Sequence, residues 1–170
     1  PLYNGNYRSV TGCTATAMAQ VLAYWKYPEV LNSDIDSYET ETYNLRIPTI
    51  YADEQTNYDW DNMLDSYHDG NYTDEQADAV AKLMYHCGAA VQMDYGSVSG
   101  SYYDISALAN NFGYDADLMK NLYRFSFTVK EWSAIIDNEL LNKRPILYSG
   151  SSSRGGHAFG CDGADGNGLY

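Results

Sequence analysis

The run Cys13-Thr14-Ala15-Thr16-Ala17-Met18-Ala19-Gln20-Val21-Leu22-Ala23-Tyr24-Trp25 constrains this chain most. Its alanines favour helix, and their small side chains let neighbouring backbone come close. The apolar positions cover nearly every side instead of one stripe, which predicts a helix buried at the centre of the fold. Pro28 is its expected stop.

The rest of the chain has to cover that helix. Residues 1–12 read as a polar entry loop, and 29–58 as acidic, Tyr-rich loops with at most a short ribbon. Thr73 and Gln76 have capping-box spacing, and Ala77, Val80, Ala81, Met84, Cys87, Gly88 and Val91 follow at helical spacing. A shorter helix carries Ile105, Leu108, Ala109 and Phe112 and ends at Gly113. Thr128 and Glu131 make a second capping box, ahead of Trp132, Ile135, Ile136 and Leu140. Pro145 to Tyr148 reads as a strand, Ser149 to Gly156 as a turn, and His157 to Asp162 as a second strand. Helices first and strands last predict an α+β fold.

With 170 residues and 45% hydrophobic content, the chain suits one compact domain, or two small lobes about a cleft. The formal net charge of −13 argues against nucleic acid as a partner, because phosphates would be repelled. It argues equally against an anionic membrane surface. No stretch approaches the ~18 consecutive apolar residues of a membrane span. Cysteines stand at 13, 87 and 161. An odd number leaves at least one thiol free, and none lies in a CxxC pattern. Cys87 and Cys161 read as buried fillers. The Gly-rich stretch Asp162 to Gly168 misses the spacing of a calcium loop and reads as a hairpin turn.

Two residues carry chemistry. Cys13 follows Gly12 and opens the buried helix, where unpaired N–H groups and the positive end of the macrodipole favour thiolate over thiol. The same N–H groups suit the oxyanion of a tetrahedral intermediate. His157 lies between Gly155-Gly156 and Ala158, with room beside its ring. An imidazole titrating near neutrality can take a thiol proton and return it to a leaving amine. Position alone leaves both open to a plainer reading, since free Cys is commonly a small buried hydrophobe and a lone His commonly structural. His68 and His86 stay with that plainer reading: one is in a polar loop segment, the other on a helix.

The whole pattern is more specific. Thr11-Gly12-Cys13-Thr14-Ala15-Thr16-Ala17-Met18-Ala19-Gln20 is followed by Tyr24 and Tyr27-Pro28, then by Tyr58-Asp59-Trp60-Asp61-Asn62-Met63. Next come Met93-Asp94-Tyr95-Gly96, Ser99-Gly100-Ser101, Asn111-Phe112-Gly113-Tyr114 and Arg144-Pro145. Gly155-Gly156-His157-Ala158-Phe159 and Asp162-Gly163-Ala164-Asp165-Gly166 close the series. In order and spacing this resembles the streptopain family of papain-like cysteine peptidases, over essentially the whole chain.

The resemblance implies a papain-like fold in a single catalytic domain over 1–170, with a helical lobe mainly at 11–142 and a sheet lobe mainly at 143–170. It implies Cys13 as nucleophile, His157 as acid/base, and substrate contacts at Ser101 and Gly156. It also implies polypeptide substrates, a removable N-terminal pro-segment, secretion from a bacterium, and no metal or organic cofactor. Tyr102 departs from the family's pattern, where a small residue follows the Gly-Ser step. The family's oxyanion Gln lies upstream of the Cys, and no Gln precedes Cys13. Its Asn/Trp segment follows the Asp-Gly stretch. Both are expected to be lost by truncation of the chain at its two ends. Two other functions fit the same constellation: a transglutaminase-like acyl transfer, and a non-catalytic extracellular binding module on the peptidase fold.

Overall fold

The computed structural model describes residues 1–102, 104–153 and 155–165, apart from the Asp69 side chain. Helix α1 (Cys13–Trp25) is as buried as its composition requires: Ala15, Met18 and Leu22 are each 0% exposed. Gln20, Tyr24 and Trp25 are exposed. The helix stops before Pro28, because Lys26 takes a left-handed conformation and its N–H caps the last turn on the Ala23 carbonyl.

The start of α1 is more demanding. Gly12 has φ +88°, and a Cβ there would lie 2.5 Å from the Met93 Sδ and 3.3 Å from the Ser99 carbonyl oxygen. Both the backbone conformation and the space require glycine.

Helix α2 (Asp74–Ala90) and the hairpin of β5 (Ile146–Ser152) and β6 (Gly155–Cys161) both pack on α1. The expected capping box is complete: Thr73 Oγ1 accepts from the Gln76 N–H, and Gln76 Oε1 accepts from the Thr73 N–H. The buried face of α2 corrects the expected one. Ala79, Leu83, His86, Cys87, Gly88 and Ala89 are buried, while Ala81 is exposed. The spacing rule passed over His86 as polar. Its Nδ1 lies 2.8 Å from the Tyr58 hydroxyl, and that hydrogen bond lets the imidazole enter the core.

Helix α3 (Ser106–Phe112) ends at left-handed Gly113 and buries Phe112 completely. Helix α4 (Val129–Leu141) opens with the expected Thr128–Glu131 capping box and buries Ile136. The core joins α1, α2 and α3 to Leu31, Ile35, Ile47, Ile50 and Tyr58 from the long loops.

The described strands form three antiparallel pairs. β1 (Leu2–Tyr3) and β2 (Tyr7–Arg8) make a small hairpin inside the expected entry loop. β3 (Tyr38–Glu39) and β4 (Arg46–Ile47) are the expected short ribbon, extended by an Ile35–Ile50 bridge. The β5–β6 ladder is longer than expected, with Ser149–Ala158, Gly150–His157, Ser151–Gly156 and Ser152–Gly155 all paired. Its Ser and Gly content suggests a turn, but a ladder is built from backbone groups, which these residues supply as well as any. The stretch Asp162 to Asp165 follows β6 without regular structure. The remainder of the Gly-rich stretch, including Asn167, and the Leu169-Tyr170 end lie outside the described residues.

Two predictions follow from this packing. Gly12→Ala forces a side chain into a glycine-only conformation, so it should cost about 1–3 kcal/mol before the Met93 clash is counted. A urea unfolding midpoint equal to that of the wild type would contradict this. The second concerns His86. Burial, helped by the Lys82 charge, pushes its pKa down to about 4. In the unfolded chain an ordinary His titrates near 6.5, so that chain takes up a proton the folded one refuses. The His86 contribution is therefore full above about pH 6.5 and is lost as pH falls towards 4. Between pH 7 and 5 the wild type should lose about 2 kcal/mol more than His86→Gln. Equal losses in the two proteins would contradict the assignment.

Candidate active site

Cys13 is the first residue of α1 and is half-buried. Gly12 has no side chain to cap the helix. The first bonds of the helix are made by Thr16, whose N–H and Oγ1 both donate to the Gly12 carbonyl, at 3.2 and 3.0 Å. The N–H groups of residues 13–15 thus precede the first intrahelical donor, beside the thiol. The other two thiols are built differently. Cys87 and Cys161 are buried, and burial pushes both thiols up, towards the uncharged form.

A second segment is fastened to the Gly12 turn. Val10 N–H donates to the Gly96 carbonyl at 3.1 Å, and Ser99 Oγ donates to the Val10 carbonyl at 2.7 Å. The same Oγ accepts from the Gly96 N–H at 3.0 Å. Asp94 and Gly100 form a bridge that closes this turn on itself. Ser101 follows directly, its Oγ buried and without a hydrogen-bond partner among the described residues. It lines a groove of about 610 Å³ together with Tyr38, Gln92, Asp94, Tyr102 and Asp104. Tyr102 is 88% exposed.

His157 stands on β6 opposite Gly150, and Gly156 opposite Ser151. A Cβ on Gly150 would meet nothing within 4 Å, and one on Gly156 only the Gly150 carbonyl at 3.9 Å. The exposed His157 ring therefore has open space across the ladder. Along the strand it stacks on Phe159, centroids 5.9 Å apart and 30° between planes. Phe159 stacks on Tyr148 at 5.3 Å, and the Tyr148 hydroxyl accepts from Trp132 Nε1 at 2.8 Å. An aromatic ladder thus runs from α4 to His157.

The shared face of His157 and Phe159 agrees with strand alternation. Cys161, expected on that face, is buried where they are exposed. Burial grades along the hairpin: its Cys161 end lies against α1, where Gln20 Oε1 is 3.1 Å from the place of a Gly160 Cβ. Among the described residues no hydrogen bond joins the Cys13 thiol to the His157 ring. The two come from elements that pack on each other, α1 and β6. Spacing alone did not reveal the Ser99 joint or the aromatic ladder, because both depend on which loop meets which. His68 is exposed in a short 3-10 turn (His68–Gly70), as its polar surroundings predict.

With this geometry in view, the chain was compared with known proteins. Residues 2–170 match the model of the Peptidase C10 family. Streptopain of Streptococcus pyogenes is 37% identical over 95% of this chain. The thiol protease/hemagglutinin PrtT of Porphyromonas gingivalis is 32% identical over all of it. The chain spans 42% and 20% of the lengths of these two relatives. Active wild-type interpain A cysteine protease of Prevotella intermedia superimposes with a TM-score of 0.81, at 36% identity, over 95% of this chain and 68% of that one. A prointerpain A fragment from the same organism gives a TM-score of 0.80. The fold is the papain-like α+β fold of these enzymes, and the chain belongs to the Peptidase C10 family.

Proposed function

We propose that this chain is the catalytic part of a secreted cysteine endopeptidase, with Cys13 as nucleophile and His157 as general acid/base. The observation that carries it is the half-exposed thiol at the uncapped start of α1, in a helix that packs directly on the strand bearing His157. Gln20 of α1 meets β6 at Gly160, on the same strand as His157. The helical lobe (mainly 11–142) and the sheet lobe (mainly 143–170) then face each other across a cleft.

In this reading His157 takes the Cys13 thiol proton, the sulfur attacks the scissile carbonyl carbon, and negative charge gathers on its oxygen. The N–H groups of the first turn of α1 are placed to donate to that oxygen. The C–N bond breaks as His157 passes a proton to the leaving amine. Water then attacks the thioester, giving its proton to His157 and releasing the acid and the thiol. The two glycines, Gly150 and Gly156, leave room for an extended peptide beside the imidazole, and Ser101 lines a groove that follows the turn bonded to the Cys13 segment. No step needs a metal or organic cofactor. Polypeptides are the substrates, and the likeness to a prointerpain A fragment supports a pro-segment in the full-length protein. The net charge of −13 fits neither nucleic acid nor an anionic membrane as partner.

Hydrolysis of an unfolded protein substrate tests the reading. Cys13→Ala and His157→Ala should each lower kcat/KM by at least ~10³-fold, the scale seen when one member of a catalytic unit is removed. Retained cleavage in either variant would overturn it. Amide exchange with added amines in place of cleavage would assign the site to acyl transfer instead.

A further inference from the structure

Ser99 takes no part in the chemistry, yet it touches the backbone of both the segment that leads into Cys13 and the turn that leads into Ser101. The residue is 8% exposed, and its hydroxyl is fully used: it donates to the Val10 carbonyl at 2.7 Å and accepts from the Gly96 N–H at 3.0 Å. Its own carbonyl lies 3.3 Å from the place of a Gly12 Cβ. A third bond, Val10 N–H to the Gly96 carbonyl at 3.1 Å, closes the junction. On one side of that junction, Gly12 turns directly into Cys13. On the other, Ser99 is followed within two residues by Ser101 and the wall of the groove.

We infer that Ser99 is a positioning residue of the site: its buried hydroxyl clamps the Gly12–Cys13 turn to the 96–101 turn, setting Cys13 and the substrate contact proposed at Ser101 in one fixed relation. The inference rests on the peptidase reading above. Removing the hydroxyl leaves the buried Gly96 N–H without its partner and frees the Val10 carbonyl on the edge of the junction, so both turns relax together. Displacements of about 1 Å at a reacting centre can cost ~10²-fold in rate. Because the two turns serve different steps, the loss divides: kcat falls through Cys13 and KM rises through the groove.

The test compares Ser99→Ala with Tyr58→Phe in the same chain. Tyr58→Phe also deletes a buried hydroxyl hydrogen bond, but one to His86, away from the site. Both variants should unfold at lower temperature. Only Ser99→Ala should label at least tenfold more slowly at Cys13 with iodoacetamide at pH 6.5, with a lower kcat and a higher KM for peptide hydrolysis. A folded Ser99→Ala with wild-type labelling and wild-type kinetics overturns the inference. So does an equal slowing in Tyr58→Phe, which would make the effect one of general stability. If Ser99→Ala does not fold, amide exchange of the wild type decides. The Val10 and Gly96 N–H groups should open as one unit with matching protection. Protection differing by more than tenfold would show that the turns move separately and overturn the clamp. A wild-type Cys13 no faster than a free thiol would sink the peptidase reading itself, and the exchange result still tells whether Ser99 joins the two turns.

Discussion

The backbone at Gly12 is the point on which the site depends. A chain that turns through φ +88° can deliver Cys13 as the first residue of a buried helix with no capping side chain in the way. Any other residue would have to strain the backbone and push Met93 aside. The geometry that frees the first N–H groups of α1 thus also forces close contact with the 93–101 segment. The uncapped start of α1 and its close contact with Met93 and Ser99 are consequences of one steric constraint.

The rest of the core keeps that turn in place. Small residues on α1 let α2 and the β5–β6 hairpin pack against it, and the long loops contribute Ile35, Ile47, Ile50 and Tyr58 to the same core. Polar groups are also brought inside, and His86 enters the core paired with Tyr58. Around His157 the β5–β6 ladder stays open. Glycines flank His157 across the ladder, and aromatic rings support it along the strand. Closed packing beside Cys13 and open packing beside His157 suit the proposed peptide substrate, which must reach both.

Much of this was legible in the residues. The central helix, both capping boxes, the Gly113 stop and the two inert cysteines follow from composition and spacing, because each is a local matter. The family pattern supplied Cys13, His157, Ser101 and Gly156 as site candidates. What spacing missed depends on contacts between distant segments. The buried face of α2 turned because His86 found Tyr58, a partner 28 positions earlier in the chain. The hairpin ran through Ser and Gly because pairing, which no single strand reveals, held it together. Ser99 looked like one member of a Ser-Gly-Ser motif until Val10 was seen to be its acceptor.

The central claim is that Cys13 and His157 act as a pair, and it can be tested without knowing the natural substrate. The measurement is alkylation by iodoacetamide from pH 4 to 9, with the labelled cysteine located by mass spectrometry, in the wild type and in His157→Ala. Rapid labelling confined to Cys13, already present well below pH 8 and lost in His157→Ala, is the predicted result. Slow labelling that rises only near pH 8.5, with the same profile in both proteins, would contradict the account.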